Sequence, residues 1–356
     1  MKDGFVCVAV GSPKLRVADC HYNAEQVFTM MRSAQRSGVK LLVLPELCLT
    51  GYTCGDLFYQ RTLLSGAEEA LHTVLEATRS LELVAAVGLP LSVDGRLYNC
   101  AAVIQRGKIL GVVPKTHLPN YSEFYEKRQF APAPAENKSI ALCAQEHIPF
   151  GPKLLFRCKE LPEFTFGVEI CEDLWVPNPP STGLAGAGAT VLCNLSASNE
   201  MIGKSAYRRQ LVLSQSASLL CAYLYASAGE GESTSDLVFG AHDIIAENGT
   251  LLSEKRFESG FQTSEIDVHK LENERRRTQV YETMPPAEDM EVVPFSLELT
   301  ETRLTRYISP LPFVPEDAGD RSARCEEILL IASLGLKKRL EHTGAKTAVV
   351  GLSGGL

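Results

Sequence analysis

Three residues whose chemistry combines in amide hydrolysis each follow a short apolar stretch. Glu46 follows LLVLP, Lys115 follows ILGVVP and Cys171 follows FGVEI. An amide carbonyl is a poor electrophile, so its hydrolysis needs an activated nucleophile, a proton shuttle and a donor to the developing oxyanion. We predict Cys171 as the nucleophile and Glu46 as general base and then general acid. Lys115 and the backbone N–H of Glu172 are predicted to stabilise the oxyanion, and Lys115 also to lower the pKa of the thiol.

The elements that must hold these side chains are short apolar strands that alternate with amphipathic helices from about residue 5 to residue 268. One helix is predicted between FVCVAV and KLLVLPE, and a second over residues 67–82. This alternation predicts mixed α/β layers. Strand ends in such layers hold reactive side chains on a rigid scaffold while loops give access to them.

Turn sequences add antiparallel pairs to this pattern. Asp94-Gly95 and Asn248-Gly249 each separate two apolar stretches and predict tight hairpins, and Arg106-Gly107 predicts a further turn. The sheet is therefore expected to contain antiparallel meanders beside strand-helix units. A purely parallel dinucleotide-binding fold does not contain such antiparallel strand pairs.

Composition excludes several classes of partner. The chain has 356 residues, of which 45% are hydrophobic and 22% charged, and its net charge is −8. A net negative charge provides no positive potential to attract the phosphates of a nucleic acid. No secretory signal or membrane span of about 18 apolar residues is recognisable, so we expect a cytoplasmic protein that does not bind membranes. The eleven cysteines are scattered without a CxxC pair, so no metal site is expected.

The last eighty residues differ in character from the rest. Residues 276–320 are rich in proline and acidic residues, which predicts a linker or extended arm. A helical stripe then ends at Gly344, and TAVVGLS predicts a strand that leads to the final Gly-Gly-Leu. One helix and one strand cannot bury a core. We therefore expect a first domain over 1–275 and the start of a second domain, cut short, over 321–356.

Longer segments around the three reactive residues resemble the signature segments of the nitrilase superfamily. They are LPELCLTGY around Glu46, PKTHLPNYSEFYEKRQF after Lys115 and GVEICEDLW around Cys171. The resemblance implies an α/β fold, a four-layer αββα sandwich of the carbon-nitrogen hydrolase type. It also implies a Glu-Lys-Cys triad, with Glu126 in YEKRQF as a supporting glutamate.

Within that superfamily, NLSASNEMIGKSAYRRQL and YASAGEGESTSDLVFGAHDIIAENG resemble the glutaminase domain of glutamine-dependent NAD synthetases. This implies hydrolysis of L-glutamine through a cysteine thioester without a cofactor, in a homo-oligomer. Tyr121, Glu172 and Ser198 are implied to bind the amino-acid end of the substrate.

The C-terminal residues Ser353, Gly354 and Gly355 resemble the opening of the pyrophosphatase loop of the same synthetases. Glycines in such a loop let backbone N–H groups approach phosphate. The implied second domain would use ATP and Mg²⁺ and accept the ammonia, which converts nicotinic acid adenine dinucleotide to NAD.

Three other interpretations remain open at this point. The chain would be a stand-alone amidase or carbamoylase of the same superfamily if glutamine were a poor substrate. It would be a Cys-His hydrolase if His117 or His242 were the base. It would be a non-catalytic glutamine-sensing module if the thiol were unreactive.

Overall fold

The structure is a computed structural model that describes residues 1–278 and 289–351. The chain forms two compact units, Met1–Arg306 and Tyr307–Leu356. Two β-sheets make up most of the first unit, and strands and helices are numbered along the chain. The first sheet has the order β14-β1-β2-β3-β4-β5-β7-β6, and the second has the order β13-β12-β11-β10-β9-β8-β15.

The strands of the first sheet are β1 (Phe5–Ser12), β2 (Leu41–Val43), β3 (Val84–Val93), β4 (Arg96–Gln105), β5 (Lys108–Pro114), β6 (Lys138–Leu142), β7 (Gln145–Phe150) and β14 (Gly260–Asp267). Those of the second sheet are β8 (Leu154–Cys158), β9 (Thr165–Ile170), β10 (Val191–Ser196), β11 (Ala222–Ser227), β12 (Asp243–Glu247), β13 (Thr250–Lys255) and β15 (Glu291–Phe295).

The helices of the first unit are α1 (Cys20–Arg36), α2 (Arg61–Ala77), α3 (Glu126–Gln129), α4 (Pro180–Gly186), α5 (Lys204–Ser218) and α6 (Val268–Thr278). There are also two 3₁₀ segments: Tyr52–Tyr59 lies between β2 and α2, and Cys171–Leu174 follows β9 directly. α2 begins earlier than the predicted 67–82, because buried Leu63 already belongs to its apolar face, and it ends at Ala77.

Alternating side chains divide the first unit into layers. Val6 and Val8 of β1 face the space between the two sheets, whereas Cys7 and Ala9 pack in the cluster that includes the buried faces of α1 and α2. A third cluster packs the second sheet against α4 and α5. Because strand side chains alternate with a period of two, each sheet supplies two apolar faces. The predicted four-layer αββα sandwich is confirmed.

The predicted hairpins are formed. β3 pairs antiparallel with β4, and β12 pairs antiparallel with β13. Asp94 and Gly95 have φ angles of 51° and 74°, which the two-residue turn between β3 and β4 requires and which favour glycine. The Arg106-Gly107 turn joins β4 to antiparallel β5 as expected.

Residues 289–306 form an extended arm within the first unit. β15 pairs in parallel with β8 at the edge of the second sheet, and buried Phe295 and Leu297 join the core between the sheets. Arg306 donates to both carboxylate oxygens of Glu247 at 2.9 and 3.0 Å. The compact unit thus extends past the predicted boundary at 275, while the division of the chain into functional domains stays a prediction.

The second unit contains the helix α7 (Ala318–Thr343), which begins with Asp317 as N-cap and ends at Gly344. The strand predicted over 347–353 is not formed in its described part, residues 347–351. The described residues of the second unit contain no other strand to accept and donate its backbone hydrogen bonds, so over residues 347–351 this prediction was wrong. In the described parts of both units, no helix is long and apolar enough to cross a bilayer.

Candidate active site

Glu46 lies in a tight turn three residues beyond β2. Its neighbour Leu47 has a φ angle of +52°, and the turn packs directly on β3. A Cβ atom at Gly88 would lie 2.4 Å from the carbonyl oxygen of Pro45 and from the backbone nitrogen of Leu47, so only glycine lets the strand approach this closely. The sheet therefore fixes the turn, and with it the buried carboxylate of Glu46.

Lys115 follows β5 directly and is completely buried between two carboxylates. Its Nζ atom lies 2.6 Å from Oε1 of Glu46 and 2.7 Å from Oε1 of Glu126. Burial disfavours the ammonium, but the charges of Glu126 and Glu46 outweigh burial and raise the pKa of Lys115. The lysine is therefore a permanent cation at this site.

Two further side chains orient the carboxylates. Asn99 of β4 donates to Oε1 of Glu46 at 2.6 Å, and the hydroxyl of Tyr52 donates to Oε1 of Glu126 at 2.9 Å. The Oε2 atoms of Glu46 and Glu126 are both buried, and neither has a hydrogen-bond partner among the described protein atoms. Each carboxylate thus keeps one oxygen available for a proton or a ligand.

Glu126 shares one buried cation with Glu46, so the pair carries a surplus negative charge. Burial raises the pKa of Glu126 to about 7, although Lys115 acts in the opposite direction and the charge of Glu46 adds to the rise. A glutamate with this pKa exchanges a proton near neutral pH.

Cys171 reaches the same place from the second sheet. It is the first residue after β9, begins the 3₁₀ segment and has a φ angle of +46°. A non-glycine residue in this region is strained by about 1–3 kcal/mol, which is typical of residues held in place for function. The residue is 6% exposed, and the charges of Glu46, Lys115 and Glu126 all act on its thiol.

The direction of the thiol's pKa corrects the sequence-based expectation. Lys115 does lower it, but burial and the charge of Glu46 are larger effects, and the pKa of Cys171 is raised. The lysine's charge is already shared by two carboxylates, which leaves little to stabilise a thiolate. Cys171 therefore rests as a neutral thiol beside an ionisable base.

Tyr121 and Glu172, both predicted to bind the amino-acid end of a substrate, are adjacent. The Tyr121 hydroxyl lies 3.0 Å from both carboxylate oxygens of Glu172. Burial raises the pKa of Glu172, although the bond from Tyr121 and the charge of Lys115 oppose the rise. Tyr121 is 54% exposed, so this pair forms the outer part of the site.

Ser198 is buried and bonded to a buried arginine. Arg208 of α5 donates to its Oγ atom at 3.0 Å and to the carbonyl oxygen of Asn199 at 2.9 Å. The same guanidinium pairs with Glu200 at 2.9 Å. Ser198 is thus positioned by α5.

Sequence reasoning missed Lys204, which belongs to the same region. Its ammonium lies 5.5 Å from the ring centres of both Phe124 and Trp175 and donates to Asn199. Burial lowers its pKa, while the charge of Cys171 raises it. Asn99 was also missed, although an asparagine inside the apolar stretch RLYNCAAVIQ was a signal for it.

The two histidines that a Cys-His hydrolase would need are held by carboxylates. The Nδ1 atom of His117 lies 2.9 Å from Asp173, and Nε2 of His242 lies 2.6 Å from Glu254. Burial also lowers the pKa of His242 to about 4. Neither histidine is arranged as the base for Cys171.

Ser353, Gly354 and Gly355 lie outside the described residues, so their predicted role in nucleotide binding stays a prediction.

The two packed sheets, with helices on both outer sides and a thiol and two carboxylates at their junction, define the nitrilase class of fold. Residues 7–276 match the carbon-nitrogen hydrolase family, and the chain belongs to that family.

Similar proteins have more specific names. A glutamine-dependent NAD(+) synthetase of Mycobacterium tuberculosis is 42% identical over 363 residues, which cover 99% of this chain and 53% of that protein. The chain therefore spans about half the length of this curated relative. A glutamine-dependent NAD(+) synthetase structure from Cytophaga hutchinsonii has a TM-score of 0.65 at 28% identity, covering 76% of this chain and 44% of that one. Saccharomyces cerevisiae Nit3, of the nitrilase superfamily, has a TM-score of 0.61 at 18% identity over 78% of this chain and 95% of Nit3, and shares the fold.

Proposed function

We propose that this chain hydrolyses L-glutamine to glutamate and ammonia through a thioester on Cys171. The observation that carries the proposal is the buried Lys115 ammonium between Glu46 and Glu126, next to a strained cysteine. Burying three ionisable groups adds little net stability, because desolvation offsets much of their attraction. Their arrangement is explained by proton transfer and charge stabilisation at the thiol.

Acylation begins with proton transfer, because the thiol rests in its neutral form. Glu46 accepts the proton on its buried oxygen Oε2, while the sulfur forms a bond to the carbon of the substrate's side-chain amide. Lys115 and the backbone N–H of Glu172 stabilise the negative oxygen of the tetrahedral intermediate. Glu46 then returns the proton to the leaving nitrogen and the C–N bond breaks. Ammonia departs, and the acyl group remains on Cys171 as a thioester.

Deacylation repeats these steps with water. Glu46 accepts a proton from the attacking water, the oxygen bonds to the thioester carbon, and the C–S bond breaks. The proton passes to sulfur, which restores the thiol and releases glutamate. Glu126 accepts a hydrogen bond from the same lysine and keeps the Lys115 ammonium in position through both steps.

Substrate selection is assigned to the outer residues of the site. The carboxylate of Glu172, oriented by Tyr121, pairs with the α-ammonium of glutamine. The half-buried ammonium of Lys204, which donates to Asn199, the residue after Ser198, pairs with the α-carboxylate. These charges select an amino acid over a simple amide.

In the longer proteins that this chain resembles, ammonia formed at Cys171 would serve a synthetase domain. That domain would use ATP and Mg²⁺ to amidate nicotinic acid adenine dinucleotide to NAD. The names of the relatives support this role. The cytoplasmic location and the homo-oligomer stay predictions.

The decisive experiment measures ammonia release from glutamine by the parent and by Cys171→Ala. We expect the variant to lose the activity and the parent to yield a glutamyl adduct on Cys171 after acid quenching and mass spectrometry. Cys221→Ala is the matched control, since it removes another buried thiol outside the site. Activity of Cys171→Ala within tenfold of the parent would refute the proposal. A parent that prefers simple amides or carbamoyl amines would be a stand-alone amidase or carbamoylase.

A further inference from the structure

The strained backbone of Cys171 is held by an asparagine from the neighbouring strand. The N–H of Cys171 donates to Oδ1 of Asn194 at 3.2 Å. Asn194 lies on β10, which pairs in parallel with β9, so its side chain comes from the strand next to the one that carries the nucleophile. This bond joins the backbone of the nucleophile to the second sheet.

Asn194 is part of a buried chain of hydrogen bonds that leads away from the site. Its Nδ2 atom donates to the hydroxyl of Tyr223 at 3.1 Å, and that hydroxyl donates to Oε1 of Glu169. The other oxygen of Glu169 accepts from the backbone N–H of Ser181 at 2.8 Å. Asn194 and Tyr223 are 0% exposed and Glu169 is 1% exposed, so water does not compete for these bonds.

These hydrogen bonds determine which way the side-chain amide of Asn194 points. Because Tyr223 gives its only proton to Glu169, its oxygen accepts, and the amide must present Nδ2 to it. Oδ1 then faces Cys171 and also accepts from the hydroxyl of Ser196 at 2.7 Å. With the amide turned around, NH₂ would face two donors, which would leave buried donors unpaired at a cost of about 1–3 kcal/mol each.

We propose that Asn194 is a positioning residue for Cys171, and that Tyr223 and Glu169 act through it by fixing the orientation of its amide. The inference rests on the proposed function, because it concerns the nucleophile of that reaction. Holding the backbone N–H keeps Cys171 in its left-handed conformation, which directs the thiol to Glu46. Small displacements of a reacting group cost large factors in rate.

Tyr223→Phe tests this most directly, because it removes the hydroxyl and keeps the buried ring. At pH 8, above the value of about 7 to which burial raises the pKa of Glu169, that carboxyl is ionised. We expect kcat for glutamine to fall about tenfold with KM within about twofold of the parent. Asn194→Ala should lose at least as much, and adding Tyr223→Phe to it should cause no further loss, since Tyr223 acts through Asn194.

Ser216→Ala is the matched control. It removes another buried hydroxyl from the same helix-sheet layer, one that donates to the backbone carbonyl oxygen of Cys221 at 2.7 Å and makes no hydrogen bond to Asn194, Tyr223 or Glu169. Its kcat should equal that of the parent. An equal loss in Ser216→Ala and Tyr223→Phe would show a general effect on folding and overturn the proposal, as would unchanged kcat in Tyr223→Phe or additive losses in the double variant.

A second measurement separates this proposal from the proposed function. Iodoacetamide labelling of Cys171, followed by mass spectrometry, does not depend on glutamine, and exposed Cys325 provides an internal reference. Tyr223→Phe should slow labelling of Cys171 at least about threefold relative to Cys325. A parent without glutaminase activity would refute the proposed function alone. Unchanged labelling of Cys171 in Tyr223→Phe would refute the positioning role.

Discussion

The Nζ atom of Lys115 lies 2.6 Å from Oε1 of Glu46, and neither side chain has exposed surface. The lysine follows β5 and the glutamate follows β2, so the pair is formed within the first sheet. Cys171 reaches it from the second sheet. The proposed reaction thus depends on the packing of two sheets against each other. Substitutions of Glu46 and Lys115 test it.

Replacing Glu46 by glutamine should remove the proton acceptor while keeping the shape of the side chain. We expect kcat to fall at least about 100-fold, the usual size of a general acid-base contribution. Steady-state ammonia release measures this, and Glu69→Gln, at an exposed position of α2, is the control for loss of a carboxylate. Near-parent turnover in Glu46→Gln would assign the base to another residue.

Lys115→Met should destabilise the protein in a pH-dependent way. It leaves two buried carboxylates without a cation, which costs about 3–5 kcal/mol when both are charged. Because the pKa of Glu126 is already raised to about 7, and loss of the ammonium raises it further, protonation relieves the repulsion at lower pH. Urea unfolding should therefore show a larger loss of stability at pH 8 than at pH 6.

The double variant Lys115→Met with Glu126→Gln completes that test. It should regain much of the stability at pH 8, since one of the two uncompensated charges is gone, but it should not regain activity. If the single variant lost the same free energy of unfolding at both pH values, the two carboxylates would not be coupled through Lys115.

Cysteine labelling should depend strongly on the reagent. A general thiol reagent should modify exposed Cys325 first, because Cys171 is buried and its pKa is raised. A chloroketone analogue of glutamine should modify Cys171 instead, because binding places the electrophile beside the thiol and Glu46. Mass spectrometry distinguishes the two sites. Preferential labelling of Cys171 by the general reagent would show a thiolate at rest.

Glu172→Gln should weaken binding of the substrate's ammonium. Loss of a charge-assisted bond worth about 1.5–3 kcal/mol should raise KM for glutamine at least about tenfold, with kcat much less affected. Glutaramate, which lacks the α-amino group, provides the control, since its KM should be nearly equal in parent and variant. An equal rise for both amides would place Glu172 outside the ammonium site.

Asp243→Asn should flatten the dependence of stability on pH. Burial raises the pKa of Asp243 from 3.8 to about 7, although bonds from Ser12 and Ser227 oppose the rise. Its contribution is therefore fully present below pH 3.8 and is lost as pH rises through about 7. The melting temperature of the parent should fall between pH 5 and pH 8 by about 2 °C or more relative to the variant. Parallel curves would contradict this shift.

The sequence alone determined the local features of the fold. Asp94-Gly95 predicted its hairpin because a two-residue turn needs positive φ angles that few residue types adopt. The alternation of strands and helices predicted mixed layers, and the resemblance of three segments supplied the four-layer sandwich. The strand predicted over 347–353 is absent from its described residues, 347–351, because apolar character is not enough where the described part of the unit offers no neighbouring strand.

Sequence also identified the residue types of the candidate site, because Glu46, Lys115 and Cys171 each follow an apolar stretch. Only the tertiary structure decided their electrostatics. Lys115 meets Glu46 across 69 positions of the chain, and its charge is divided between two carboxylates. The pKa of the Cys171 thiol is therefore raised, whereas the sequence predicted that Lys115 would lower it. Asn194 was missed for the same reason: hydrogen-bond partners and burial depend on contacts between distant segments, which periodicity and spacing do not encode.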